Sequence, residues 1–323
     1  MTVNEYQKLA MTTLNPALSK KDVLINGVMG LCGESGEAID IVKKWLAQGH
    51  ELDREKLAKE LGDICWYLAE TATALDLSLE DIMAANIEKA MAEKPECNFW
   101  SVSQNDNNAY CRCDKCREID EREGTPMGTV LDFVNRMARR FPDKTISTLA
   151  YWYTRKPPKT IRPEKNVHIM LCNIEANRGL PIETDAKSIE SKEELLAWEA
   201  ICPHISLWDY CIQFRNLVSP FPNLRVIPKN IRFFLDHNVK MLFSQSNREY
   251  EGEFSALRGY LLAKCMWEPN IDANAVIREF CEGYYGPAAS AILTYIEEVH
   301  DAMEAAGGEL SIFGGPLDAK DTW

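Results

Sequence analysis

The chain has 323 residues, 46% of them hydrophobic and 26% charged, and a net charge of −13, so it is long enough for two domains that each bury a core. The negative charge is shared, with 10 Lys+Arg against 16 Asp+Glu in residues 1–95 and 26 against 33 beyond. Such a surface argues against a nucleic-acid partner, though not against a nucleotide whose charge a metal ion offsets. No apolar run approaches the ~20 residues that span a bilayer, so no membrane partner is expected. The opening Met1-Thr2-Val3-Asn4-Glu5-Tyr6-Gln7-Lys8 has no apolar signal core, which makes cytoplasm the expected location. Cys32, Cys65, Cys265 and Cys281 sit among apolar neighbours in helical patterns and read as small core residues, free thiols in a reducing compartment.

Residues 1–94 read as helical throughout. Apolar positions recur at three and four through Val28, Leu31, Cys32, Ile39, Val42 and Trp45-Leu46. A second helix is predicted from Asp53, a capping residue, through Leu57, Leu61 and Leu68 to about Leu75. Ser78-Leu79-Glu80-Asp81 is a capping-box variant that opens a third. Within this region Glu34 and Glu37 lie three apart, as do Glu60 and Asp63, so each pair shares one helix face. If the two helices pack antiparallel, four carboxylates converge, and their repulsion calls for a cation. Hard oxygen ligands select Mg²⁺ or Mn²⁺. Either pair alone is also what a solvated face carries, but both are embedded in apolar sequence. Gly36 and Gly62 stand inside the same helices at a cost of up to ~1 kcal/mol each relative to Ala, which close approach of a helix or ligand would explain.

From about Pro95 the pattern changes. Strands are predicted at Phe99–Ser103, Thr145–Trp152, Val167–Cys172, His204–Tyr210 and Val239–Phe243, with helices at Met127–Arg140 and Lys192–Ala200 and one long helical region over Glu253–Ala305. Alternation of strand and helix implies parallel βα units, and five strands fall short of the eight that close a barrel. Polar groups collect past the strand ends, namely Asp106, Glu175, Asp209 and Gln245. A cleft there, lined by Trp152, Tyr153, Trp208 and Tyr210, would suit a saccharide, with Asp106, Glu175 and Asp209 as the carboxylates of a glycoside hydrolase; the other reading is turn capping and aromatic packing. Cys111, Cys113 and Cys116 offer three thiolates to zinc, with a fourth ligand from Cys172, His168 or elsewhere, a weaker pattern than paired Cys-x-x-Cys motifs; a disulfide, if the chain is exported, and free thiols are the other readings.

Two resemblances sharpen these expectations. Glu-x-x-Glu, 22 intervening residues and Glu-x-x-Asp, with Leu31-Cys32-Gly33-Glu34-Ser35-Gly36-Glu37-Ala38 and Glu60-Leu61-Gly62-Asp63-Ile64, resemble the MazG-like all-α nucleotide pyrophosphohydrolases over residues 1–92. The resemblance implies Mg²⁺-dependent hydrolysis of nucleoside triphosphates to monophosphate and pyrophosphate by a homo-oligomer. It also implies Glu34, Glu37, Glu60 and Asp63 as the metal-binding and catalytic set. Lys43, Lys44, Lys59 and Lys89 become candidates for phosphate contacts, and Asn86-x-x-Lys89 resembles the family's late Asn/Lys pair. Trp45 and Trp66 are candidates for stacking on a base or for core packing. After Lys89 the chain departs from the family's basic, aromatic-containing tail.

The second half resembles an uncharacterised domain found beside glycoside-hydrolase-like barrels of the α-glucuronidase type. That likeness rests on Asn98-Phe99-Trp100-Ser101-Val102-Ser103-Gln104-Asn105-Asp106-Asn107, Cys111-x-Cys113-x-x-Cys116, Trp208-Asp209-Tyr210 and Gly283-Tyr284-Tyr285-Gly286. The expected architecture is multidomain: an all-α helical bundle at 1–94, fused to an α/β region resembling an incomplete (β/α) barrel at 95–323.

Overall fold

The structure, a computed structural model, describes residues 3–246 and 252–314. It divides into two compact units, Met1–Cys97 with Cys113–Lys115, and Asn98–Arg112 with Cys116–Trp323.

The first unit is helical: α1 (Val3–Ala10), α2 (Lys20–Gln48), α3 (Arg54–Ala74) and α4 (Leu79–Glu93). Each long helix begins where its sequence offers an acceptor to an orphan amide. Ser19 accepts from the Asp22 amide, Asp53 from Lys56 and Ser78 from Asp81. Helix α2 stops at Gly49, which takes the left-handed conformation (φ 73°) that glycine adopts without a Cβ penalty.

The hairpin of α2 and α3 is tight because two glycines remove side chains at the crossing. A Cβ on Gly27 would lie 2.4 Å from the Thr71 hydroxyl, and one on Gly30 2.2 Å from the Tyr67 ring. The close approach is therefore at Gly27 and Gly30, whereas a Cβ on Gly36 or Gly62 would meet nothing within 4 Å. This corrects the expectation of close helix contact at those two positions.

The distribution of side chains around α2 is unusual. Val23, Gly27, Gly30, Glu34 and Ile41 share the face toward α3, so Glu34 lies with the core rather than against it. The opposite face carries Ile25, Val28, Met29, Cys32, Ile39 and Leu46, all exposed, with Met29 at 70% and both Ile39 and Leu46 at 69%. Cys32 and Cys65 are accordingly not core residues of this chain; both are exposed, while Cys265 and Cys281 are buried as expected.

The second unit holds β1 (Phe99–Ser101), α5 (Asp114–Glu123), α6 (Met127–Arg140), β2 (Thr145–Ala150), β3 (Val167–Cys172), α7 (Ile189–Glu199), β4 (Ile205–Tyr210), α8 (Ile227–Asp236), β5 (Val239–Gln245), α9 (Ser255–Trp267), α10 (Ala273–Tyr285) and α11 (Ala289–Ala305). All four strand pairings are parallel and the order is β1-β2-β3-β4-β5. Strands laid down in chain order are those of a (β/α) barrel, here open between β1 and β5. The central strands β3 and β4 are buried along almost their whole length, as parallel strands covered on both faces must be. The last strand exposes Met241 and Phe243.

Three expectations needed revision. The second strand ends at Ala150, because Tyr151 and Thr154 cap each other's backbones and turn the chain into a short 3₁₀ segment, Trp152–Thr154. The long final helix is three helices, interrupted at Pro269 and again at Gly286-Pro287, where proline removes a ladder donor. Helices α5 and α8 were not expected. The first is almost entirely charged, and the second is rich in β-branched and aromatic residues.

Candidate functional site

Helices α2 and α3 bring Glu34, Glu37 and Glu60 together: one carboxylate oxygen from each lies within 4.8 Å of the others. Glu60 is 7% exposed, Glu34 is half-buried and Glu37 is exposed. Loss of solvent, followed by the charges of Glu37, Asp63 and Glu60, pushes the Glu34 carboxyl above its ordinary value, since both disfavour its charged form. Asp63 is thus within electrostatic reach of Glu34, although it stands outside the tight group of three. Deeper along α3, Glu70 is fully buried and accepts from the Asn26 amide at 3.1 and 2.9 Å. That inward carboxylate escaped the sequence reading, though it follows Asp63 by seven residues and so shares its face.

Asp40, three residues beyond Glu37, prolongs the same line. Lys44 reaches it at 2.5 Å, and this hydrogen bond, followed by the charges of Lys44, Lys43 and Lys56, lowers the Asp40 carboxyl despite partial loss of solvent. A cationic group therefore borders the carboxylates, assembled from Lys43 and Lys44 of α2 and Lys56 of α3. Asp40 and Lys56 were not singled out from sequence, although Glu34-x-x-Glu37-x-x-Asp40 repeats the spacing of three. Lys59, Asn86 and Lys89 are exposed, the last two on α4. Trp66 donates to the Ala10 carbonyl (3.2 Å) and Thr13 hydroxyl (3.0 Å), which makes it a packing residue of the bundle; Trp45 is exposed.

In the second unit a cleft of about 480 Å³ opens at the C-terminal ends of the strands and draws on all five, with Asp106 after β1, Trp152 after β2, Cys172 on β3, Trp208 on β4 and Gln245 on β5. Ligands of open parallel sheets bind at this edge. Asp106 accepts from the Tyr151 hydroxyl (3.0 Å) and the Trp152 indole (3.2 Å) through one oxygen, Oδ1. Burial, then Asp106, moves the Tyr151 phenol up to about 12, and burial, then Glu175, moves the Cys172 thiol to about 12. Trp152 holds φ 52°, a region in which a bulky residue is strained.

The other two carboxylates expected at this edge are placed differently. Glu175 pairs with Arg155, whose guanidinium also faces Glu194 (3.3 Å) and Glu190 (3.8 Å). Asp209 is buried, held by Arg178 and Asn173, each at 2.9 Å, and does not line the cleft. Tyr153 stacks on Tyr110, with centroids 4.7 Å apart, away from the cleft. Within the second unit the sulfurs of Cys111 and Cys116 lie within 4.8 Å of each other, soft ligands of the kind zinc takes.

An all-α bundle with inward carboxylates, followed by an open (β/α) half-barrel, defines the class. The chain belongs to the family described as Domain of unknown function (DUF4838), whose model matches residues 73–297. The model of the MazG nucleotide pyrophosphohydrolase domain matches residues 26–98, and that family generally uses divalent metals. The chain is similar to the Gene 37 protein of Mycobacterium phage L5, with 39% identity over 70 residues, 20% of this chain and 61% of that protein. It therefore spans less than two thirds of that relative's length. No solved structure matches. Among the described residues, no helix is long and apolar enough to cross a membrane.

Proposed function

We propose that residues 1–94 hydrolyse nucleoside triphosphates to nucleoside monophosphate and pyrophosphate with Mg²⁺, or Mn²⁺ in its place, and that residues 95–323 form a separate half-barrel domain. The observation that carries this reading is the convergence of the Glu34, Glu37 and Glu60 carboxylates from α2 and α3, beside the match to the nucleotide pyrophosphohydrolase family.

The donor set fits such an ion: every ligand atom is a hard carboxylate oxygen, and the charges of Glu37, Asp63 and Glu60, second to loss of solvent in raising the Glu34 carboxyl, are ones a cation offsets. Glu34, Glu37, Glu60 and Asp63 would hold it. When bound, the ion supplies charge neutralisation on the phosphates and acidifies the water that attacks. The chain's own residues do the rest. A carboxylate of this set orients the attacking water, and Lys43 and Lys44, with Lys56, receive phosphate oxygens at the adjoining cationic group. Lys59, Asn86 and Lys89 are further candidates for phosphate contacts. A Cβ on Gly36 or Gly62 would meet nothing within 4 Å, so neither position crowds the approach to the carboxylates.

The outward apolar stripe of α2, together with Leu61, Cys65 and Leu68 on α3, is too continuous for a lone hairpin. We assign it to a second copy of the chain, making the active form a homo-oligomer, and expect it in the cytoplasm, where its substrates are.

The test is to incubate the full chain with a panel of (d)NTPs with and without Mg²⁺, measuring monophosphate and pyrophosphate. Release of both products, lost without the ion and in Glu37→Gln and Glu60→Gln, supports the reading; no turnover by folded protein in Mg²⁺ refutes it.

A further inference from the structure

We infer that the cleft at the C-terminal end of the half-barrel sheet is a binding site for a neutral saccharide, whose ring packs on Trp152 and Trp208 and whose hydroxyls meet Asp106 and Gln245. The inference is independent of the hydrolase reading, since every residue involved belongs to the second unit.

The lining decides the ligand's chemistry. Aromatic rings dominate it, and its one charged residue among those described is Asp106; it has no Lys, Arg or His. Nearby cations are already committed, Arg178 to Asp209 and Arg155 to Glu175 with two further carboxylates close by. An anionic ligand such as a nucleotide or a uronide would therefore face the Asp106 carboxylate with no counter-charge among the described residues of the lining. A purely apolar ligand would strip water from that carboxylate and return nothing. A neutral polyhydroxylated ring satisfies both demands, with C–H faces for the aromatic walls and O–H donors for the acceptors.

The polar groups of the cleft are positioned for hydroxyls, which both donate and accept. Tyr151 and Trp152 both bond Oδ1 of Asp106, which leaves Oδ2 for hydroxyls. Gln245 accepts the Trp208 indole through Oε1 at 3.0 Å, so its amide nitrogen is the end offered to a ligand. Gln104 donates to the Tyr151 carbonyl and the Thr154 hydroxyl, which fixes its orientation, and its Oε1 is a buried acceptor without a partner at the cleft wall.

Backbone strain supplies an independent indication. Trp152 sits at φ 52°, where a tryptophan is uncommon, and Tyr151 and Thr154 brace the turn on either side of it. The turn sets an indole over the cleft and its N–H on Asp106, a use that accounts for tolerating the strained conformation. Among the described residues of the lining Asp106 is the one carboxylate, and the proposal is confined to binding.

The experiment titrates the full chain with cellotetraose, xylotetraose, mannotetraose and maltotetraose, with tetragalacturonate and ATP as anionic comparators. Binding is read by tryptophan fluorescence and calorimetry. One of the neutral tetrasaccharides should bind saturably, with Kd between about 10 µM and 1 mM, and the anions should not. Asp106→Ala and Gln245→Leu should each weaken binding by about tenfold. Trp152→Gly should abolish it while the melting temperature holds or rises, because glycine adopts that backbone conformation freely. Binding to none of the neutral panel, stronger binding of tetragalacturonate or ATP, or unchanged affinity in folded Trp152→Gly and Asp106→Ala would each overturn the proposal.

Discussion

Glu123 and Glu194 are both carboxylates drawn away from water, and their surroundings drive them in opposite directions. Burial works against the Glu123 charge, but the Thr160 hydroxyl (2.6 Å), the Thr160 amide (2.7 Å), the Ile161 amide (3.1 Å) and Arg122 hold its carboxyl at about 2. Its folded value lies below the unfolded 4.5, so its contribution is complete above that pH and is lost as pH falls toward 2. Glu123→Gln should cost about 2 kcal/mol at pH 7, with a difference in melting temperature that closes between those two values. Glu194 is the reverse case. Burial, moderated by Arg155 and reinforced by Glu175 and Glu190, raises it to about 7. Stability from this group is present below pH 4.5 and lost as pH rises through about 7. Glu194→Gln should therefore gain relative to the parent between pH 5 and pH 8, by about 1 kcal/mol once solvent screening is allowed for. Melting curves at the two pH values check the sign, and a gain larger at pH 5 would contradict it. Asp209 offers a third contrast: removing one partner of its buried pair by Asp209→Ala should cost about 3 kcal/mol, whereas exposed Asp106 should tolerate alanine.

Helix α2 shows what period alone conveys. The apolar repeat through Val28, Cys32 and Ile39 was legible and correctly gave a helix, but period does not say what covers a face. The chain buries the other side, where Gly27 and Gly30 admit Tyr67 and Thr71 and the carboxylates enter with them. The caps at Ser19, Asp53 and Ser78 follow from local chemistry and were readable for the same reason that β3 and β4 were, since a buried parallel strand is a continuous apolar run. Helix α5 was hidden by its charge, and Asp40 with Lys56 by dependence on how two helices pack. The Glu-x-x-Glu spacing was visible because three residues return to one face; the Trp152–Asp106 bond was not, because a turn makes it. The uncovered stripe leads to a further prediction. Leu46→Glu should shift the oligomer toward monomer in light scattering, since each fully buried leucine contributes about 1.5–3 kcal/mol and every subunit loses one. An unchanged mass at the same concentration would exclude this stripe from the interface.

The two units carry sites of opposite chemistry in one chain. One is a crowded set of carboxylates, proposed above to hold a divalent cation; the other is an aromatic cleft whose described lining has a single carboxylate and uncharged donors. The two proposed functions should separate under perturbation. Chelating divalent ions, or changing Glu37 or Glu60 to Gln, should lower nucleotide turnover by about 100-fold or more, the equivalent of the several kcal/mol that a metal supplies to phosphoryl chemistry. The same treatments should leave saccharide affinity unchanged, because no residue of the cleft belongs to the helical unit. Asp106→Ala and Trp152→Gly should do the converse, weakening the saccharide titration while nucleotide turnover stays within about twofold of the parent, less than about 0.5 kcal/mol in barrier. Both readouts can be taken on one preparation of each variant. A variant that loses both functions while its melting temperature holds would mean that the units act as one, and the independence assumed for each site would have to be given up.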